Sequence, residues 1–174
     1  MNIYEHCPEV RTKHFLLRLI KDDDYQTLFD CYHDQQAVSL MNDDNCDFGF
    51  YVETKDQLKE TIKYWKYFYD QKCFVRFSIV DIITSNAIST IEGFVGDIGV
   101  LRVDLATAYE KTSYIEELLA FAKEHFYDYF GNDNIVTKAI DKASERREAL
   151  VNQGFKYIGD YRGYQDYYHI RIKD

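Results

Sequence analysis

The chain has 174 residues, 46% of them hydrophobic and 29% charged, which excludes a disordered chain and supplies apolar material for a buried core. Residues 1–174 are expected to form a single domain, since roughly 100 to 200 residues is the usual size of one. A formal net charge of −9 excludes nucleic acid and anionic membrane as natural partners, because both carry the same sign.

No apolar run reaches the roughly 18 to 20 residues that span a bilayer. The opening MNIYEHCPEV lacks the basic-then-apolar order of a signal peptide, so the expected location is the cytoplasm. Cys7, Cys31, Cys46 and Cys73 form no C-x-x-C pair, and reduced thiols are expected. His6, His14, His33, His125 and His169 lack metal-ligand spacing, so no metal is expected. G-x-S-x-G, P-loop and G-x-G-x-x-G motifs are absent from the sequence, which leaves hydrolase, phosphoryl-transfer and dinucleotide readings without support. The 16 tyrosines and 12 phenylalanines are expected to fill the core, with some available to line a cleft.

In chain order, residues 14–20 read as a strand, and Asp22 to Asp24 offer N-cap carboxylates to a helix carrying Tyr25, Leu28, Phe29 and Tyr32. Residues 41–51, rich in Asn, Asp and Gly, read as a loop. Thr54 can cap a helix with Leu58, Ile62 and Trp65 at helical spacing. Three strands are predicted at 74–80, 87–94 and 98–105, parted by turn formers at Thr84-Ser85-Asn86 and Gly96-Asp97. A helix over 114–126 places Ile115, Leu118, Leu119, Ala122 and Phe126 on one face. A strand at 135–140, a helix at 143–152 stopped by Gly154, and strands at 156–161 and 167–172 complete the chain. The order β-α-α-β-β-β-α-β-α-β-β predicts an α/β fold: a mixed central sheet of about seven strands flanked by about four helices, with a cleft where parallel strands part.

This order resembles that of the GNAT N-acetyltransferases, and three stretches carry the resemblance further. FLLRLIKDDDYQTLFDCY (Phe15 to Tyr32) is similar to the opening of the ribosomal-protein and small-molecule branch. ASERREALVNQGFKYIG (Ala143 to Gly159) is similar to its A-S-R-x-x-L-E-K-x-G-F stretch, and GYQDYYHIRI (Gly163 to Ile172) to its final strand. The resemblance implies the acyl-CoA N-acyltransferase fold and transfer of an acetyl or other acyl group from acetyl-CoA to a primary amine of a small molecule or peptide. A homodimer is compatible with it.

In that family a Q/R-x-x-G-x-G/A loop joins the fourth strand to the next helix and holds the coenzyme A pyrophosphate on backbone N–H groups and the helix N-terminus. Carried onto this chain, the cofactor-binding residues implied are Leu105, Lys111, Thr112, Ser113, Tyr114 and Ile115, with Asp141 where the family often has Asn. Glu110 stands in place of Gln or Arg, Ser113 in place of the first Gly, and Ile115 in place of the final Gly or Ala. A carboxylate beside the pyrophosphate costs on the order of 1 to 4 kcal/mol, Ile115 puts a branched side chain where close approach is expected, and Ser113 is the mildest change. Ser113 is alternatively an N-cap, with Glu116 completing a capping box.

Ser144 matches the family's thiolate proton donor; alternatively it only starts a helix whose Arg146 and Arg147 face solvent. The family's base falls at Val100. Val100, Arg102 and Asp104 share one strand face, so Asp104 is the substitute base, its pKa lowered by Arg102, unless the two form a structural pair. Tyr164, Tyr167 and Tyr168 either line the acceptor site or pack. Two functions stay open, an N-acetyltransferase and a catalytically inactive GNAT-fold binding module; a remoter third is a non-CoA ligand in the same cleft.

Overall fold

The structure, a computed structural model, describes residues 2–173. Their strands are β1 (Val10–Arg11), β2 (Phe15–Leu19), β3 (Val75–Asp81), β4 (Ala87–Val95), β5 (Gly99–Asp104), β6 (Asn134–Lys138), β7 (Lys156–Tyr161) and β8 (Tyr164–Arg171). The α-helices are α1 (Tyr25–Tyr32), α2 (Gln35–Val38), α3 (Lys55–Asp70), α4 (Thr112–Phe130) and α5 (Ser144–Asn152). The expected α/β architecture is present, with one strand and one helix more. β1 is two residues long, and α2 is a single turn whose Asp34 carboxylate accepts from the Gln36 N–H at 2.8 Å. Neither is long enough to leave a periodic trace in the sequence.

One sheet takes the order β1-β2-β3-β4-β5-β6-β8-β7, antiparallel everywhere except between β5 and β6. Helices α4 and α5 close one hydrophobic core with Leu101, Val103 and Ile135, and α1 and α3 close a second with Val80 and Ala87. Strand alternation sends Leu101 and Val103 to the first face and Val100, Arg102 and Asp104 to the other.

Local signals account for most boundaries. Thr54 Oγ1 accepts from the Gln57 N–H at 3.2 Å while Gln57 Oε1 accepts from the Thr54 N–H at 3.2 Å, a capping box that starts α3. α4 stops at Gly131, whose φ of 69° lies in the left-handed region. Asp24 departs from its expected role. Its buried carboxylate is clamped by Arg18 at 2.8 and 2.7 Å and by Ser78 at 2.6 Å instead of capping α1.

The parallel pairing of β5 with β6 lasts two residues, Gly99 opposite Ile135 and Val100 opposite Val136. Beyond it the strands part, which opens a cleft at the switch from antiparallel to parallel order. Gly99 permits this close approach. A Cβ there would lie 2.4 Å from Phe126 Cε1 and 2.7 Å from the Asn134 carbonyl oxygen. Gly99→Ala is therefore expected to cost about 1–3 kcal/mol in urea unfolding, and because the Asn134 oxygen is backbone, trimming Phe126 should not restore the loss. An unchanged midpoint would contradict the close packing at this strand pair.

Candidate active site

The cleft where β5 and β6 part has a volume of about 190 Å³, and its lining includes Leu105, Glu110, Ala143, Ser144 and Glu145. Ser144 is the first residue of α5; it is exposed, and its hydroxyl has no hydrogen-bond partner among the described residues. That leaves the hydroxyl free to donate into the cleft.

Helix α4 points its N-terminus at the same place. Its N-cap residue is Lys111, which supplies no side-chain hydrogen bond, so the expected Ser113–Glu116 capping box does not form: the helix begins one residue before Ser113. A carboxylate from α5 takes over instead. Glu145 Oε2 accepts from the Thr112 N–H at 2.8 Å and from Thr112 Oγ1 at 2.5 Å. These two hydrogen bonds to Thr112 hold the Glu145 carboxyl below its ordinary pKa. The Tyr114 and Ile115 N–H groups both turn to the Lys111 carbonyl at 3.0 Å, and those of Glu110 and Lys111 to Thr107 and Tyr109. Among the described residues no partner reaches the Ser113 N–H.

Two departures from the family loop are changed by tertiary contacts. Ile115 is buried in the core beneath α4, so its branched side chain faces away from the cleft. Glu110 receives a two-pronged contact from Arg146, Nε at 2.9 Å and Nη2 at 2.7 Å, which matches its charge. Arg146 is correspondingly buried rather than solvated, and its Nη1 donates to the Val103 carbonyl at 2.7 Å. Leu105 is buried in the core, Lys111 holds its ammonium 5.7 Å above the Tyr114 ring, and Asp141 is exposed and paired with Arg147.

Asp104 lies elsewhere. It is fully buried on the opposite sheet face, and its partner is Arg76 at 2.6 Å rather than Arg102. Arg76 also binds Glu92 at 2.6 Å, and Arg102 reaches the other Glu92 oxygen at 3.1 Å. The Tyr32 hydroxyl donates to Asp104 at 2.8 Å, and the Trp65 ring lies 4.1 Å from the Arg76 guanidinium carbon. Burial opposes the charge on Arg76, yet Glu92, Tyr32 and Asp104 together raise its pKa. Arg102 takes Glu92 because the two face each other across the β4–β5 ladder, whereas Asp104 stands two residues along the same strand.

On this face a strap from the expected loop crosses the parting strands. Arg102 of β5 donates to the Asp44 carbonyl at 2.6 Å, and Lys138 of β6 binds the Asp44 carboxylate at 2.9 Å. Tyr167 adds a hydroxyl at 3.0 Å to Asp44, and Tyr164 reaches Asn45 at 3.0 Å. Tyr167 and Tyr168 are buried with their hydroxyls engaged, the latter by Arg147 at 2.8 Å. Burial, then Asp44, push the Tyr167 phenol up despite the Asn42 hydrogen bond.

No protein-family model and no curated protein matches the chain by sequence. Solved structures do match by shape. An acetyltransferase of the GNAT family from Bacillus anthracis superposes with a TM-score of 0.73 at 11% identity, over 96% of this chain and 100% of that one. The ribosomal-protein-S5-alanine acetyltransferase of Vibrio fischeri gives 0.67 at 14% identity, over 96% and 98%. Mycobacterium smegmatis RimJ, in complex with a CoA disulfide, gives 0.73 at 12% identity, over 94% and 86%.

The chain has the GNAT fold. Within it, the structure brings Leu105 and Ser144 to one cleft, ties Thr112 to the cleft-lining Glu145, and leaves Asp104 outside. Sequence reasoning missed Glu145 as the occupant of the α4 N-terminus, and it missed the Arg76–Glu92 pair. The signal for Arg76 was a charged residue inside the strand pattern FVRFSIV, which marks a buried group needing partners. Among the described residues no cluster of three or more His, Cys, Asp or Glu side chains is placed to hold a metal, and no helix is long and apolar enough to cross a membrane.

Proposed function

We propose that the chain is a GNAT-type N-acyltransferase that moves an acetyl group from acetyl-CoA to a primary amine of a small molecule or peptide. The observation that supports this most directly is at the cleft mouth: the α4 N-terminus already takes an anion, the Glu145 carboxylate, through Thr112. A diphosphate asks for the same donors. The RimJ structure with a CoA disulfide, sharing this fold at a TM-score of 0.73, supports coenzyme A as the ligand class.

The residues fit that ligand at its anionic end. The Thr112 and Ser113 N–H groups would hold the diphosphate, with Leu105 buried behind them and the Lys111 ammonium at the rim. Tyr114, Ile115 and Asp141 serve this site indirectly, by shaping the first turns of α4 and α5. Acetyl-CoA supplies the activated acyl group. Ser144 presents a free hydroxyl that can give up a proton to a departing thiolate and recover it from solvent. We assign Asp104 to holding Arg76, since a buried carboxylate already bonded to a guanidinium and a phenol has no access to an acceptor amine.

A second reading, a GNAT-fold binding module without catalysis, is favoured by the same Glu145 contact, which already occupies the α4 N-terminus. Isothermal titration with acetyl-CoA separates the two. The transferase reading expects saturable binding in the range of about 1 µM to 1 mM typical of enzyme substrates. No binding at millimolar acetyl-CoA, by either the chain or its Glu145→Ala variant, leaves only the module.

A further inference from the structure

We propose that Glu145 is an intramolecular ligand of the α4 N-terminus that competes with the diphosphate of an acyl-CoA, so that cofactor entry requires its displacement. The identity of the competing ligand rests on the transferase reading above; the contact itself does not.

Helix caps ordinarily come from the residue that begins the helix. Here Lys111, the N-cap residue of α4, contributes nothing, and Ala143, the N-cap residue of α5, has no side chain able to cap. The uncapped N-terminus of α4 is instead met by a carboxylate of α5, which reaches Thr112 from 33 residues away in the chain. Position 145 is aimed by its neighbour: buried Arg146 is anchored on the Val103 carbonyl and Glu110, which fixes the first turn of α5 against β5. Glu145 is then left exposed at the rim with its carboxylate on Thr112, and Glu148 Oε2 approaches Thr112 Oγ1 at 3.3 Å from the next turn.

The contact is built to be exchanged. An exposed carboxylate returns to water at little cost. A diphosphate offers more charge and more acceptor oxygens, enough to engage the Ser113 N–H as well. Glu110, the carboxylate that sequence alone places beside the diphosphate, is not the competitor, because Arg146 already matches its charge.

The test titrates the full chain, Glu145→Ala and Glu145→Gln with two probes, inorganic pyrophosphate and coenzyme A, while amide NMR follows Thr112 and Ser113. Competition predicts about tenfold tighter binding of both probes by both variants, with the two amide signals shifting at correspondingly lower ligand concentration. Unfolding midpoints check that the variants fold, as expected for an exposed position. Equal affinities across the three proteins overturn the competition while leaving the transferase reading intact. Tighter pyrophosphate binding with no coenzyme A binding by any of them upholds Glu145 as an anion competitor and overturns the transferase reading. No binding of either probe to any protein overturns both.

Discussion

Replacing Arg76 with methionine is expected to destabilise the fold by about 3–5 kcal/mol, the cost of stranding buried charge when one partner of an internal ion pair is removed. Glu92 and Asp104 are 1% and 0% exposed, so neither can turn to water once the guanidinium is gone. Arg102 remains, but it reaches only Glu92, at 3.1 Å, and is committed to the Asp44 carbonyl as well. Arg76→Lys should fail to rescue, because one ammonium cannot serve Glu92 through Nε and Nη2 and Asp104 through Nη1 as the planar fork does. The measurement is urea unfolding followed by circular dichroism. Adding Glu92→Gln and Asp104→Asn to Arg76→Met should recover much of the loss, since the penalty lies in unpaired charge rather than in missing volume. A loss below about 1 kcal/mol for Arg76→Met would mean that water reaches the network.

Ser144→Ala should lower kcat by about 10²-fold under the transferase reading, with the affinity for acetyl-CoA unchanged within about twofold. General acids contribute about 10²–10⁴, and the lower end applies because a thiol, with an ordinary pKa near 8.5, is a fair leaving group even without help. Ser144→Thr keeps the hydroxyl and should retain a large part of the rate. A pure KM effect would place Ser144 in binding instead. An unchanged kcat would remove it from the chemistry and leave it as a helix-starting residue of α5.

Particular residues show where the fold and the site were legible in advance. The cap at Thr54 and the α4 core face depend on contacts within a few residues, so periodicity and cap chemistry locate them, although α4 runs on to Phe130, past its expected end at 126. The extra elements, β1 and α2, are too short for any period. The site is a different matter. Glu110 and Ile115 look like obstacles when aligned against a loop pattern, because a pattern carries no direction for a side chain. Arg146, 36 residues along the chain, matches Glu110, and the pitch of α4 turns Ile115 into the core.

By itself the sequence determined the α/β order and the mixed sheet, since hydrophobic period and turn chemistry are local properties of the chain, whereas the cleft also draws on Gln36, Ala37 and Leu40, which no local signal marked. Only the tertiary structure decided which charges meet: Arg76 with Asp104, Arg146 with Glu110, Glu145 with Thr112 and Asp44 with Lys138. The physical reason is that ionic and hydrogen-bond partners are chosen by distance and desolvation after the strands have paired, and of these four pairs the nearest in sequence is separated by 28 residues.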